Sequence, residues 1–207
     1  MKKMQRFSNL FKAKNEGEFK MEDRNLLRDD YIIITGGPGS GKTTLLDELG
    51  KNNHEYVPEV AREIIKAQIS SNGDALPWGN VTKYRDLMLD KSIESYLSAL
   101  TNPSSQPLFF DRGIPDTLTY THLINIPLSE KLESAVKSYR YNKKVFILPP
   151  WKDIYKTDGE RKQDFEEAVA TYKIMFRTYE QLDYELIEVP KIGIKHRASF
   201  ILKNVIL

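Results

Sequence analysis

Short runs of β-branched and aromatic residues alternate along the chain with longer segments whose apolar residues recur at helical spacing. The run at 31–35 is almost wholly apolar and is followed by glycine, as expected of a strand buried on both faces of a sheet. We predict strands at residues 31–35, 56–58, 108–110, 145–148 and 186–189. We predict helices at residues 42–49, 60–69, 82–100, 116–124, 129–139, 164–182 and 195–205. This alternation predicts an α/β fold in which helices cover a parallel sheet.

The length of the chain suffices for one well-buried core and is short for two. It has 207 residues, of which 40% are hydrophobic and 29% are charged. No apolar run approaches the roughly 20 residues that a membrane-spanning helix requires. The absence of cysteine excludes disulfides and thiolate zinc sites and fits a reducing cytoplasm. A net charge of only +2 gives no reason to expect a nucleic-acid partner.

The segment GGPGSGKT satisfies the pattern G-x-x-x-x-G-K-[ST] and lies between a predicted strand and a predicted helix. Its glycines let successive backbone N–H groups turn towards phosphate oxygens, and the helix N-terminus adds partial positive charge. Lys42 is expected to reach the β- and γ-phosphates, and Thr43 to bind Mg²⁺. The residues predicted to hold ATP or GTP are Gly36, Gly37, Pro38, Gly39, Ser40, Gly41, Lys42, Thr43 and Thr44. The sequence thus predicts a P-loop.

The predicted P-loop NTPase domain spans residues 28–207, and residues 1–27 form a basic N-terminal extension. Residues 1–20 carry six Lys or Arg and two Glu, with apolar residues near helical spacing. A basic amphipathic helix of this kind binds an anionic membrane surface or acts as a targeting segment. A flexible tail is the alternative interpretation.

The third predicted strand ends in a carboxylate, which is typical of a Walker B element. Asp111 is expected to orient Mg²⁺ directly or through a water, and Arg112 follows it at once. Asp116 either caps the next helix or faces the acceptor of the phosphate. A strand-end aspartate that only forms a turn is the alternative for Asp111.

A second carboxylate follows the second predicted strand. Glu59 either acts as a favourable charge at a helix start or takes the proton from an acceptor hydroxyl. Arg62 lies three residues later, on the same face of the helix, where it can hold that carboxylate or a phosphate.

The segment TDGERKQDF, which begins at residue 157, precedes a long predicted helix. Its basic pair, Arg161 and Lys162, is predicted to fold over the γ-phosphate as a lid, with Arg161 as the catalytic cation. A solvated charged loop is the alternative.

Several segments together resemble the small AAA-type predicted-ATPase domain family from about residue 31 to the end of the chain. These segments are ITGGPGSGKTTL, EYVPEVAREII, GDALPWG, FFDRGIPDTLTY, VFILPPW, YKTDGERKQDFEEAV and YELIEVP. More distantly, VPEVAR and FFDRG resemble deoxynucleoside kinases, and the lid resembles that of the ribosylnicotinamide kinase domain of NadR proteins.

The resemblance implies a three-layer α/β/α fold with a five-stranded sheet of order 2-3-1-4-5. It also implies Glu59 as base, Asp111 and Arg112 as the metal and phosphate pair, and a lid arginine at 161. The chain departs from the kinases at Gly113, where they usually carry Ser or Thr, and in its arginine-poor lid. Residues 142–144 do not make a guanine-specificity motif, which favours ATP over GTP.

The leading hypothesis is a kinase that transfers the γ-phosphate of Mg-ATP to a small nucleoside-like or nucleotide-like acceptor. Predicted walls of the acceptor pocket are Glu59, Arg62, Trp78, Tyr84, Asp116 and Tyr120. The alternative for the aromatic members of this set is a place in the core or on the surface without a role in the pocket. Two other hypotheses stay open, a nucleotide-dependent switch that reports to a partner or membrane and a simple NTPase.

Overall fold

The computed structural model describes residues 26–101, 106–155 and 164–205. The strands in these residues are β1 (Leu26–Leu27), β2 (Tyr31–Gly36), β3 (Tyr56–Val57), β4 (Leu108–Asp111), β5 (Tyr139–Arg140), β6 (Lys144–Leu148) and β7 (Glu185–Glu188). Five of them form a parallel sheet in the order β3-β4-β2-β6-β7. Numbered along the chain within that sheet, the order is 2-3-1-4-5, which confirms the predicted topology.

Seven α-helices lie in the described part of the chain. They are α1 (Lys42–Lys51), α2 (Val60–Ser70), α3 (Val81–Leu100), α4 (Ile114–Leu123), α5 (Glu130–Ser138), α6 (Phe165–Gln181) and α7 (Ile194–Val205). All seven were predicted, with ends that differ by one or two residues. In α6 the first turn is defined by a capping box, in which Asp164 accepts from the Glu167 amide and Glu167 accepts from the Asp164 amide.

Alternate residues of the central strand β2 pack against different layers of helices. Tyr31 and Ile33 belong to one core, which α3, α4, α5 and α6 complete. Ile32 and Ile34 belong to the other core, which α1 and α7 complete. Because successive side chains of a strand point to opposite faces, this continuous apolar run joins both cores into a three-layer α/β/α fold.

The two remaining strands form a small parallel sheet that the sequence did not predict. Here β1 pairs with β5, so the last two residues of the predicted N-terminal extension pair with the domain. The hydroxyl of Tyr96 lies 2.7 Å from the carbonyl oxygen of Leu26 and 2.9 Å from that of Arg140. Tyr96 therefore ties both short strands to α3, where its ring is fully buried.

The carboxyl ends of the parallel strands converge at one edge of the main sheet, where ligands of open α/β sheets bind. The P-loop follows β2 at this edge, Glu59 follows β3, and Asp111 ends β4. In the described residues, no helix is both long enough and apolar enough to cross a bilayer.

Candidate active site

The P-loop connects the end of β2 to the start of α1. Gly39 and Gly41 have φ angles of 74° and 82°, in the left-handed region that favours glycine. A methyl group at position 41 would lie 2.9 Å from a guanidinium nitrogen of Arg197. Both glycines are therefore required by the loop conformation, and α1 begins directly after it without a side-chain cap, which leaves its N-terminus suited to bind an anion.

Lys42 at the start of α1 forms a buried ion pair with Asp111 at the end of β4. Nζ of Lys42 donates to Oδ1 of Asp111, and the two side chains are only 7% and 10% exposed. Burial lowers the pKa of Lys42 and raises the pKa of Asp111, since water no longer solvates either charge. Lys42, predicted to bind phosphate, and Asp111, predicted to bind the metal, thus form an ion pair that water solvates poorly.

Arg112 follows Asp111 in the chain and connects this pair to Glu59, the residue directly before α2. Its Nε donates to Oε1 of Glu59 at 2.6 Å, and Nε of Arg62 lies 3.9 Å from Oε2 of the same carboxylate. Burial alone would raise the pKa of Glu59, but the positive charges of Arg112 and Lys42 lower it to about 2. Glu59 is consequently ionised, and the structure brings it together with Lys42, Asp111 and Arg112.

Asp116 is bound by four donors and is 5% exposed. Oδ1 accepts from Thr35 Oγ1 at 2.5 Å and from Arg112 Nη1 at 3.3 Å. Oδ2 accepts from the Gly113 amide at 2.8 Å and from the Tyr179 hydroxyl at 2.6 Å. Because a carboxylate has about four acceptor directions, this one is fully engaged. The structure shows Asp116 as the cap of α4, and the residue also belongs to the wall of the cavity described below.

Arg112 itself has a φ angle of 69°, an uncommon backbone conformation for a residue with a side chain. Its guanidinium is held between Glu59 and Asp116, and these carboxylates raise its pKa even though burial alone would lower it. The constrained backbone and the two carboxylates together fix the direction of this side chain.

A cavity opens between α2, α3, α4 and the ends of β3 and β4. Its walls include Glu59, Asp111, Arg112, Met88, Ser92, Ser95 and Thr117. Tyr84 and Tyr120 are not among the described residues that line it. They pack edge to face, with ring centroids 5.5 Å apart, against the small core around Met88. Burial, with the neighbouring Tyr120 and Glu59, raises the pKa of Tyr84 to about 12.

Trp78 also does not line this cavity among the described residues, and its side chain is 68% exposed in the loop before α3. Backbone hydrogen bonds within that loop define its conformation. The Asn80 amide donates to the Asp74 carbonyl at 2.7 Å. Both predicted lid residues, Arg161 and Lys162, lie outside the described residues.

The donor set fits Mg²⁺ held jointly with nucleotide phosphates. Thr43 is exposed in the first turn of α1, and Asp111 lies beside Lys42. Within residues 26–101, 106–155 and 164–205, no group of three or more His, Cys, Asp or Glu could hold a metal alone. Mg²⁺ commonly binds through one or two protein oxygens, water and phosphates, so a hydroxyl and a carboxylate suffice.

Several residues that contact the site were not predicted, among them Thr35, which donates to Asp116. Arg197 in α7 is 3% exposed, and its Nη2 donates to the carbonyl oxygen of Ser40 at 3.2 Å. Burial lowers the pKa of Arg197. Tyr179 in α6 reaches Asp116, and nothing in its sequence context separates it from an ordinary core tyrosine.

Comparison with solved structures shows the same fold in several kinases. A NadR protein in complex with NR has a TM-score of 0.61 at 19% identity, over 84% of this chain and 50% of that one. The chain thus spans half the length of that NadR protein. Thymidylate kinase from Candida albicans has a TM-score of 0.60 at 13% identity, over 86% of this chain and 91% of that one.

Thymidylate kinase from Ehrlichia chaffeensis has a TM-score of 0.52 at 16% identity, over 86% of this chain and 98% of that one. No curated protein matches the sequence. The sequence profile of an AAA domain family matches residues 31–197, which include the P-loop, both strand-end carboxylates and Arg197. The chain therefore belongs to this AAA domain family, with the nucleotide-binding P-loop fold of small kinases.

Proposed function

We propose that this protein is a kinase that transfers the γ-phosphate of Mg-ATP to a hydroxyl of a small nucleoside-like or nucleotide-like acceptor, in the cytoplasm. One observation carries the proposal. The consecutive residues Asp111 and Arg112 connect Lys42 of the P-loop to Glu59 across the carboxyl edge of the sheet. The P-loop ammonium and a half-buried carboxylate are thereby held in one network next to a cavity.

The donor nucleotide would occupy the P-loop. Backbone amides of residues 37–43 and the ammonium of Lys42 would hold its phosphates, and Lys42 would exchange Asp111 for phosphate oxygens. Thr43 and Asp111 would hold the Mg²⁺, which neutralises negative charge on the β- and γ-phosphates when it is bound. The poor solvation of the Lys42–Asp111 pair favours this exchange, since each partner gains a stronger counter-ion.

The acceptor would place one hydroxyl on Glu59, and the cavity beside it, about 20 Å³ in this structure, would have to widen to admit the rest of the molecule. Its oxygen forms the new bond to the γ-phosphorus as the bond to the β-phosphate oxygen breaks, and its proton passes to Glu59. A carboxylate with a pKa of about 2 is a weak base, so Glu59 mainly orients the hydroxyl until phosphoryl transfer is well advanced. Withdrawal of Lys42 to the phosphates removes one of the charges that depress the pKa of Glu59 and makes it a stronger base.

Arg112 has the position of an electrostatic stabiliser. Its guanidinium contacts Glu59 and is close enough to Asp111, at the end of β4, for that charge to raise its pKa. The structural neighbours named as thymidylate kinases act on small acceptors, and this supports a transfer reaction over hydrolysis alone. Arg161 remains our proposed lid cation, with Lys162 beside it.

A coupled assay of ADP formation with a panel of nucleosides and nucleotides tests the proposal. We expect one class of compound to stimulate turnover in the wild type and not in Glu59→Gln. Slow hydrolysis that ignores every acceptor and retains its product would instead favour a nucleotide-dependent switch. Acceptor-independent turnover with free product release would favour a simple NTPase.

A further inference from the structure

Arg197, in the first turn of α7, reaches the P-loop from near the far end of the chain. Ala198, Ile201 and Val205 recur at helical spacing and pack α7 into the same core as the P-loop helix α1. This packing sets the rotation of α7 about its axis. Arg197 is thereby turned inwards, and its guanidinium lies against the P-loop at residues 40–41.

The guanidinium holds one peptide unit of the P-loop in place. Its Nη2 donates to the carbonyl oxygen of Ser40 at 3.2 Å, and this contact is buried. The same peptide unit carries the amide N–H of Gly41, and no peptide bond in the described residues is cis. In a trans peptide the C=O and N–H bonds point in opposite directions. The contact with Arg197 therefore fixes the Gly41 N–H on the other side of the peptide.

That N–H is available to a ligand. Within the part of the chain that the structure describes, the Gly41 amide donates to no backbone carbonyl. Successive amides of a P-loop are the groups that bind phosphate oxygens, and each must point into the same concave site. Arg197 thus sets the direction of a donor that a phosphate would use, although the guanidinium itself lies on the opposite face of the peptide.

The charge of Arg197 is also poorly solvated. The residue is almost fully buried, and its Nε has no hydrogen-bond partner in the described structure. Its Cζ lies 5.7 Å from the ring centroid of Trp151, within the range of a cation–π contact. Because water screens a buried charge little, the guanidinium attracts an anion on the other side of the peptide more strongly than a surface cation would.

We infer that Arg197 is a positioning residue of the donor site, which directs the Gly41 amide towards the polyphosphate and strengthens binding of that polyanion by its buried charge. This inference rests on the proposed binding of ATP by the P-loop and adds a residue of α7 to that site. The effect concerns the phosphates and not the base or the ribose.

Calorimetric titration of the full chain with Mg-ATP and with Mg-tripolyphosphate tests the inference, because both ligands carry a triphosphate and only one carries a base and a ribose. Arg197→Met keeps an unbranched side chain and removes its charge and donors. We expect its Kd for both ligands to rise about tenfold or more, by similar factors. Arg197→Lys keeps the charge without the planar fork of donors, so its affinities should fall between those of Arg197→Met and the wild type.

Lys195→Met is the matched control, since Lys195 is exposed on the same helix, and it should bind both ligands as the wild type does. Urea unfolding without ligand measures the stability of each variant separately. If Arg197 only supported the fold, Arg197→Met would lose stability while both Kd values stayed unchanged, and the inference would be overturned. A loss of affinity for ATP alone, or equal losses in Arg197→Met and Lys195→Met, would also overturn it.

Should Arg197→Met fail to fold, Arg197→Lys decides the question. We expect its Kd for both ligands to rise severalfold, and unchanged values would overturn the inference. Each of these negative results leaves ATP binding by the wild type, and with it the proposed function, standing. Wild-type protein that binds neither Mg-ATP nor Mg-tripolyphosphate would contradict the proposed function and the inference together.

Discussion

The P-loop and the acceptor cavity lie at the same edge of the sheet but are assembled in different ways. The P-loop is one continuous segment, whose glycine conformations and following helix are encoded within eight residues. The cavity combines residues from α2, α3, α4 and two strand ends. In the proposed kinase, donor binding would therefore be mainly a local property of the chain, whereas acceptor recognition would depend on how distant segments pack. Variants in the two regions should separate donor binding from acceptor chemistry.

The largest effect should follow from removal of the P-loop ammonium. Lys42→Ala should lower kcat/KM for ATP about 10⁴-fold, because nucleotide affinity and turnover each lose about 10²-fold. Steady-state kinetics and nucleotide titration measure both effects. Lys51→Ala is the matched control, since Lys51 is 73% exposed in the last turn of the same helix. Equal losses in the two variants would contradict the special role of Lys42.

Removal of the Glu59 carboxylate should lower the rate of phosphoryl transfer and leave ATP binding nearly unchanged. Glu59→Gln should lower kcat by about 10²-fold or more, because a neutral amide neither accepts the proton nor orients Arg112 as strongly. Its ATP dissociation constant should stay within a few-fold of the wild type. Glu63→Gln, an exposed position on the same helix, serves as control. A large loss of ATP affinity in Glu59→Gln would show that the two regions are not separable.

Glu59 should also make the free energy of unfolding depend on pH in the acidic range. The pKa of Glu59 is about 2 in the folded protein against an ordinary value of 4.5, so ionised Glu59 stabilises the fold above pH 4.5. This stabilisation should be lost as pH falls from 4.5 towards 2, by about 3 kcal/mol in total. Urea unfolding of the wild type and Glu59→Gln measures it. Parallel pH profiles of the two proteins would contradict the ion-pair network.

A smaller loss of stability is expected from a change in α6, whose Tyr179 donates to Asp116. Tyr179→Phe removes one of four donors from the buried carboxylate of Asp116 and should lower the free energy of unfolding by about 1–3 kcal/mol. Tyr172→Phe on the same helix removes a hydroxyl that contacts Glu188 at an exposed position and should cost much less. Equal losses of unfolding free energy in these variants would show that Asp116 does not depend on Tyr179.

The sequence predicted the elements of the fold because each is encoded locally. Apolar runs define the strands, helical periodicity defines the helices, and the P-loop pattern is contiguous. The order of the strands was predicted from the resemblance to known domains, because no local sequence pattern indicates which strands pair. The strands β1 and β5 were not predicted, because residues 26–27 fell in the predicted N-terminal extension and residue 139 in the predicted helix 129–139.

The supporting contacts of the site could not be predicted for a related reason. Thr35 and Asp116 are 81 residues apart in sequence, and Ser40 and Arg197 are 157 apart. An aspartate three residues into a helix is compatible with capping and with substrate contact, and no local pattern predicts the four donors around Asp116. Trp78 looked like a pocket wall because aromatic residues often are, but its loop leaves it exposed.

Calorimetric titration of the full chain with ATP in the presence of Mg²⁺ tests the central claim most directly. We predict saturable binding at one site in the wild type and strongly weakened binding in Lys42→Ala, with Lys51→Ala like the wild type. Absence of binding of ATP, ADP and GTP to well-folded wild-type protein would contradict the assignment of residues 36–43 as the nucleotide site.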